Sequence, residues 1–209
     1  MLAVKRIKAD SLQCAADLSD AAAIGVKIQK CKSQELIVFD DVKFGGRYIA
    51  FMTLEEIRNM LPWVMTVDEV VELAGDARIF AVIERDGYLE DLLPKLPIGA
   101  AVLSPNPDIL KDAAHSAVER WFLGGGWKKP VFAAINANEE AKKPFIDGVV
   151  VYGELGFERL KELFGQSVDG GLKFMVNCGD DLELVKRLME VGVVSYWIGT
   201  QFVPEWLKV

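Results

Sequence analysis

Lys27 and Gln29 sit two residues apart in the apolar run Val26-Lys27-Ile28-Gln29, and Glu84 closes another, Phe80-Ala81-Val82-Ile83-Glu84. An extended chain turns successive side chains to opposite faces, so Lys27 shares a face with Gln29, and Glu84 with Val82 and Phe80. If both faces point to one interior, an ammonium and a carboxylate arrive from neighbouring strands and can pair. Lys5 and Arg6 end a first apolar run, Asp40 and Asp41 follow Leu36-Ile37-Val38-Phe39, and Arg85 follows Glu84. Ser104, Asn136, Glu154, Asn177 and Cys178 end further runs. Lys5, Arg6, Lys27 and Arg85 are the right groups to bind a phosphate without metal. The same cations can instead close an internal network with Asp40, Asp41 and Glu84, because buried charges must be paired.

The chain contains one histidine, His115, and three cysteines, Cys14, Cys31 and Cys178. The cysteines are far apart with no CxxC, so zinc is not expected and buried apolar roles are. With 209 residues, 51% apolar and 26% charged, the length fits one domain with a sizeable core. The net charge of −7 argues against nonspecific binding to nucleic acid. No apolar run is long enough to insert in a membrane, and the first eight residues do not read as a signal peptide, so a cytoplasmic protein is expected.

The elements that must position these groups alternate. Strands are expected over residues 2–7, 26–31, 78–84, 98–103, 131–135, 148–152, 172–176 and 193–198. Helices are expected over 10–23, 53–60, 66–74, 88–93, 108–122, 157–164 and 181–191, with Thr53 and Thr66 as caps and Glu69 completing a capping box. Residues 36–39 form an added extended segment, and short turns are expected at 138–142 and 204–207. Apolar strands alternating with helices imply a parallel sheet covered by helices, and eight units favour an α/β (β/α)8 TIM-type barrel as a single domain. Chemistry in such a barrel sits at the C-terminal ends of the strands. His115 then lies on an outer helix, away from them. Gly124-Gly125-Gly126 precedes the strand expected at 131–135, which places it at the opposite end as a flexible turn without the lysine of a phosphate loop. Trp63, Trp121, Trp127, Trp197 and Trp206 are expected in core and rim packing. Phe44, Tyr48 and Phe51 either cover the mouth or pack locally.

The ordered segments resemble the glycerophosphodiester phosphodiesterases. Residues 26–30 and 33–41 look like that family's second-strand block, and Gly45-Gly46, Thr53-Leu54-Glu55-Glu56-Ile57, Pro62 and Thr66-Val67-Asp68-Glu69-Val70 continue it. Residues 80–85, Val102-Leu103-Ser104 and residues 173–192 resemble its third strand, its serine strand and its closing strand and helix. The resemblance implies a (β/α)8 barrel and phosphodiester hydrolysis by two histidines and a divalent metal. It also implies that this chain departs at the centre. Lys5 and Asp40 stand where the family has its catalytic histidines, and Lys27-x-Gln29 stands where it has a Glu-x-Asp metal pair. Glu84 is the one family metal ligand retained; Arg6 and Asn177 are retained as substrate-binding positions, with Arg85 where lysine is frequent.

Three carboxylates and a divalent cation sum to about −1, whereas Lys27, Gln29 and Glu84 sum to about zero with no ion, so the ammonium can take the place of the metal. Lysine and aspartate side chains titrate about 3 units either side of pH 7, whereas histidine titrates near it. The expectation is therefore a phosphodiesterase-like barrel with metal and histidine catalysis lost or strongly reduced. It has no cofactor and keeps a pocket for a phosphorylated small molecule built from Arg6, Lys27, Arg85 and Asn177. One alternative is an active enzyme with a remodelled Asp/Glu/Lys site that holds Ca or Mg. The other is a non-catalytic binding or scaffold barrel.

Overall fold

The computed structural model describes residues 2–6 (as a strand), 22–125, 127–141 and 143–199. Strands β1 (Leu2–Arg6) and β2 (Ala23–Lys30) are followed by an antiparallel arm, β3 (Leu36–Val38), and a small hairpin of β4 (Lys43–Phe44) and β5 (Arg47–Tyr48). The sheet continues with β6 (Arg78–Val82), β7 (Ala101–Ser104), β8 (Glu119–Leu123), β9 (Gly148–Tyr152), β10 (Lys173–Gly179) and β11 (Ser195–Ile198). β1 pairs with β2 on one edge and β11 on the other, and the remaining pairings run parallel in chain order from β2 and β6 to β11. The result is a curled α/β sheet of the TIM type.

Helices α1 (Leu54–Met60), α2 (Val67–Ala74), α3 (Leu89–Leu92), α4 (Pro107–Asp112), α5 (Pro130–Glu140), α6 (Phe157–Asp169) and α7 (Leu182–Glu190) lie between the strands. Both expected capping boxes are formed: the Thr53 and Thr66 hydroxyls accept from the Glu56 and Glu69 backbone N–H groups, and those glutamates accept in return from the threonine N–H groups. Of the helix expected at 10–23, residues 10–21 lie outside the described residues, as do the turn at 204–207, Cys14 and Trp206, while Ala23 begins β2 instead of ending a helix.

Strand alternation divides the apolar residues between two cores. Ile24, Val26, Ile28, Ile79, Ala81, Val149, Val151, Val176 and Ile198 face outward onto the helices. Ala23, Phe80, Ala101, Leu103, Trp121, Leu123, Val150, Met175 and Trp197 fill the interior. The floor of that interior, at the N-terminal ends of the strands, is charged. Glu119 accepts from Arg78 at 2.7 Å, from Lys173 at 2.6 Å and from the indole N–H of Trp121 at 2.9 Å. Burial works against the Glu119 charge, but these donors outweigh it and hold the carboxyl below the ordinary glutamate range.

Three expectations are corrected. Residues 108–122 do not form one helix: α4 ends at Asp112, a 3-10 turn runs over Ala113–His115, and β8 begins at Glu119. Residues 131–135 are not a strand but lie in α5, where Pro130 occupies the first turn, a position at which its lack of an N–H leaves no helical hydrogen bond unmade. β2 begins at Ala23, not at Val26. The fifth strand therefore precedes Gly124-Gly125, which lie at the same end of the sheet as Lys27 and Glu84. Asn136 is in α5, not at a strand end. His115 is exposed in the turn that leads into β8, at the other end from that mouth.

Candidate functional site

The C-terminal ends of the strands surround a cavity of about 100 Å³. β2 contributes Gly25 and Lys27, β6 Val82 with Glu84 just beyond it, β8 Leu123, β9 Val150 and Tyr152, β10 Asn177 and β11 Trp197; Asp40 reaches in from the segment after β3. Asp40 is brought there by the backbone: the N–H of Phe39 donates to the carbonyl of Lys27 at 3.0 Å, tying the end of the β3 arm to β2.

Lys27 and Glu84 meet at 2.9 Å, Nζ to Oε1, with Lys27 largely buried and Glu84 about 41% exposed. The parallel register explains the contact. Lys27 is level with Val82, so Glu84 lies one pleat step further toward the mouth on the same face. Asn177 holds its amide oxygen against the Gly179 N–H at 3.2 Å, which turns the end of β10.

The two β2 positions that reach the cavity are Gly25 and Lys27, one pleat step earlier than the Lys27/Gln29 pair singled out by the resemblance. Gln29 is buried but does not line the cavity. Gly25 is required here for space: a Cβ on it would lie 2.3 Å from Cζ2 of Trp197. Sequence reasoning missed both Gly25 and Trp197 as mouth residues. The glycine carries no chemical group to notice, and the tryptophan reads as core.

Arg85 and Asp41 are exposed, and neither lines the cavity. β1 places Arg6 level with Gly25, and Lys5 level with Ile24 and Ile198. Gly25 lines the cavity, whereas Ile24 and Ile198 belong to the outer core. Phe44 packs edge-on against Phe39, with ring centroids 6.3 Å apart, while Tyr48 and Phe51 remain exposed against each other. Cys178 of β10 is buried in the outer core, and burial, then the Asp181 charge, pushes its thiol up to about 12. It is not a nucleophile under ordinary conditions.

A hard divalent cation needs several oxygen ligands. Among the described lining residues the carboxylates are Glu84, already neutralised by Lys27, and Asp40. Among the described residues no three histidine, cysteine, aspartate or glutamate side chains come together as a ligand set. An ion placed beside Glu84 would also face the Lys27 ammonium. Among the described residues, the lining offers no ligand set for a hard divalent metal.

No protein-family model matches the chain, and no curated protein matches it. Solved structures do. A glycerophosphodiester phosphodiesterase from Thermotoga maritima is similar at a TM-score of 0.78 and 14% identity, over 96% of this chain and 94% of that one. One from Agrobacterium tumefaciens is similar at 0.70 and 15%, over 96% of each chain. An Oleispira antarctica phosphodiesterase in complex with the product sn-glycerol-3-phosphate is similar at 0.68 and 12%, over 95% of this chain and 92% of that one. Almost the whole chain thus has the fold of the glycerophosphodiester phosphodiesterases.

Proposed function

We propose that this chain is a diverged member of the glycerophosphodiester phosphodiesterase family, a single (β/α)8 barrel over residues 1–209. In it, metal- and histidine-dependent hydrolysis is lost or strongly reduced, and the mouth takes a phosphorylated small molecule. The observation that carries this reading is the Lys27–Glu84 pair. The Glu84 carboxylate, the family ligand the chain retains, spends its charge on an ammonium 2.9 Å away. The loss of both histidines removes the acid and base suited to pH 7. Lys27 then acts as a fixed cation for a phosphate, with Arg6 supplied from the end of β1.

The test is direct. Purified protein is incubated with calcium, magnesium or manganese and with glycerophosphocholine or glycerophosphoethanolamine, and sn-glycerol 3-phosphate is measured. No metal-dependent release is expected, and robust release would overturn the reading. Thermal unfolding with each ion adds a second measurement. An ion at a hundred times its Kd stabilises the folded state by about 2.7 kcal/mol, and no such rise in Tm is expected.

A further inference from the structure

The lining of the mouth cavity changes character over one pleat step. Along β2 it runs from Gly25 to Lys27, along β6 from Val82 to Glu84 just past its end, and along β9 from Val150 to Tyr152. In each pair the residue nearer the floor has no polar side-chain atom, and the one two positions on, toward the mouth, carries one. Leu123 of β8 is level with Val150 and also lines the cavity. Val82, Leu123, Val150 and Trp197 pack with the interior core. The six-membered edge of the Trp197 ring rests against Gly25, and its Nε1 has almost no accessible surface, so that ring presents carbon. The bottom of the cavity is therefore hydrocarbon, and its rim is charged and polar.

That polarity fixes which end of a ligand goes in. A phosphate entering first would bury its charge against hydrocarbon with no donor to meet it, which is prohibitive. The phosphate must sit at the rim. There Lys27 has two N–H groups beyond the one that meets Glu84. Asn177, whose amide oxygen accepts from Gly179, has its NH2 group left to donate. Whatever is esterified to the phosphate then points down. A hydroxyl placed there is buried without a partner and weakens binding, whereas a methylene strengthens it. The Asp40 and Glu84 carboxylates are at the rim, so a hydroxyl reaches them only by staying out of the cavity.

We infer that the mouth takes the phosphate monoester of a short aliphatic alcohol, inserted chain first, in preference to a phosphorylated polyol. This deepens the proposed function and rests on its phosphate site. The cavity of about 100 Å³ has room for a chain of roughly three to four carbons, since one of about 150 Å³ accepts benzene.

n-Propyl phosphate and sn-glycerol 3-phosphate form a matched pair: the same carbons and the same phosphate, without and with the extra hydroxyls. Calorimetry of the full chain in EDTA is expected to find propyl phosphate bound about tenfold more tightly or better. Across methyl, ethyl and propyl phosphate, affinity should rise about fourfold per methylene. Nuclear Overhauser contacts should run from the terminal methyl of the bound chain to the methyl groups of Leu123 and Val150. Val150→Thr keeps the shape, adds a hydroxyl to the bottom, and should narrow the preference for propyl phosphate. Glycerol 3-phosphate bound as tightly as propyl phosphate, a flat series, contacts to neither Leu123 nor Val150, or an unchanged preference in folded Val150→Thr would each overturn the inference while the phosphate site stands. If 1-propanol binds as well as propyl phosphate, or if no phosphate compound binds at millimolar concentration, the phosphate site falls and the inference with it. The loss of hydrolysis is judged by its own assay. The wild-type measurements decide the matter even if the variant does not fold.

Discussion

At the scale of single residues, the mouth is shaped as much by a missing side chain as by charged ones. Gly25 admits the Trp197 ring, and a methyl group at position 25 would meet it at 2.3 Å. Gly25→Ala is therefore expected to destabilise the protein by about 1–3 kcal/mol, the usual cost of overpacking. Combining it with Trp197→Leu should recover much of that loss, because the smaller side chain vacates the space. Chemical denaturation of the two single variants and the double variant checks this, and strict additivity of the two effects would argue against the contact. The Lys27–Glu84 pair is a different case. Glu84 is exposed enough that solvent screens it, so the pair adds little to stability and matters for what the mouth can bind.

At the scale of elements, the segments between β2 and β6 are set by local chemistry. Thr53 and Thr66 each begin a helix with a reciprocal capping box, and both helices carry acidic residues in the first turn. Thr66 also forms an isolated bridge with Ile37 of β3, so this helix start is tied to the arm that carries Asp40 to the mouth. Thr66→Ala is expected to cost about 1 kcal/mol, measured by urea unfolding, with faster amide exchange in residues 66–70. These helices were legible in the sequence because a cap is a contact within four residues. β8 and α5 were not. Leu110, Ala113, Val118, Trp121 and Phe122 recur at helical spacing, and Val131-Phe132-Ala133-Ala134-Ile135 reads as a buried strand. Glu119 made a strand interior harder still to see, because its place inside the sheet depends on Arg78 and Lys173, 41 and 54 residues away.

At the scale of the whole molecule, that same Glu119 ties β6, β8 and β10 together across the floor of the sheet. Its depressed carboxyl pKa links folding to pH. The contribution is present above the unfolded value of about 4.5 and is lost as pH falls through the lower folded value. Glu119→Gln leaves Arg78 and Lys173 facing each other and is expected to cost about 1–3 kcal/mol at pH 7. The stability curves of the two proteins should converge as pH falls below 4.5, and a constant gap down to pH 3 would show that the charge is not what matters. The charged floor thus lies at the end opposite the cavity, where stabilising contacts are expected in this architecture.

The sequence by itself determined the alternation of strands and helices on either side of β8 and α5, the paired caps, and the presence of Lys5 and Asp40 where the resemblance implies histidines. All of these are written in residue identity or in spacing over a few positions. It also placed Lys27 and Glu84 on faces that could meet, since alternation along a strand is a local rule. Only the tertiary structure decided that they do meet, that Gly25 and not Gln29 shares the cavity with Lys27, and that Gly124 belongs to the mouth end. It alone left the Trp197 N–H without an acceptor among the described residues. Those outcomes depend on register between strands and on which ring fills which space, and both are settled by contacts between residues far apart in the chain.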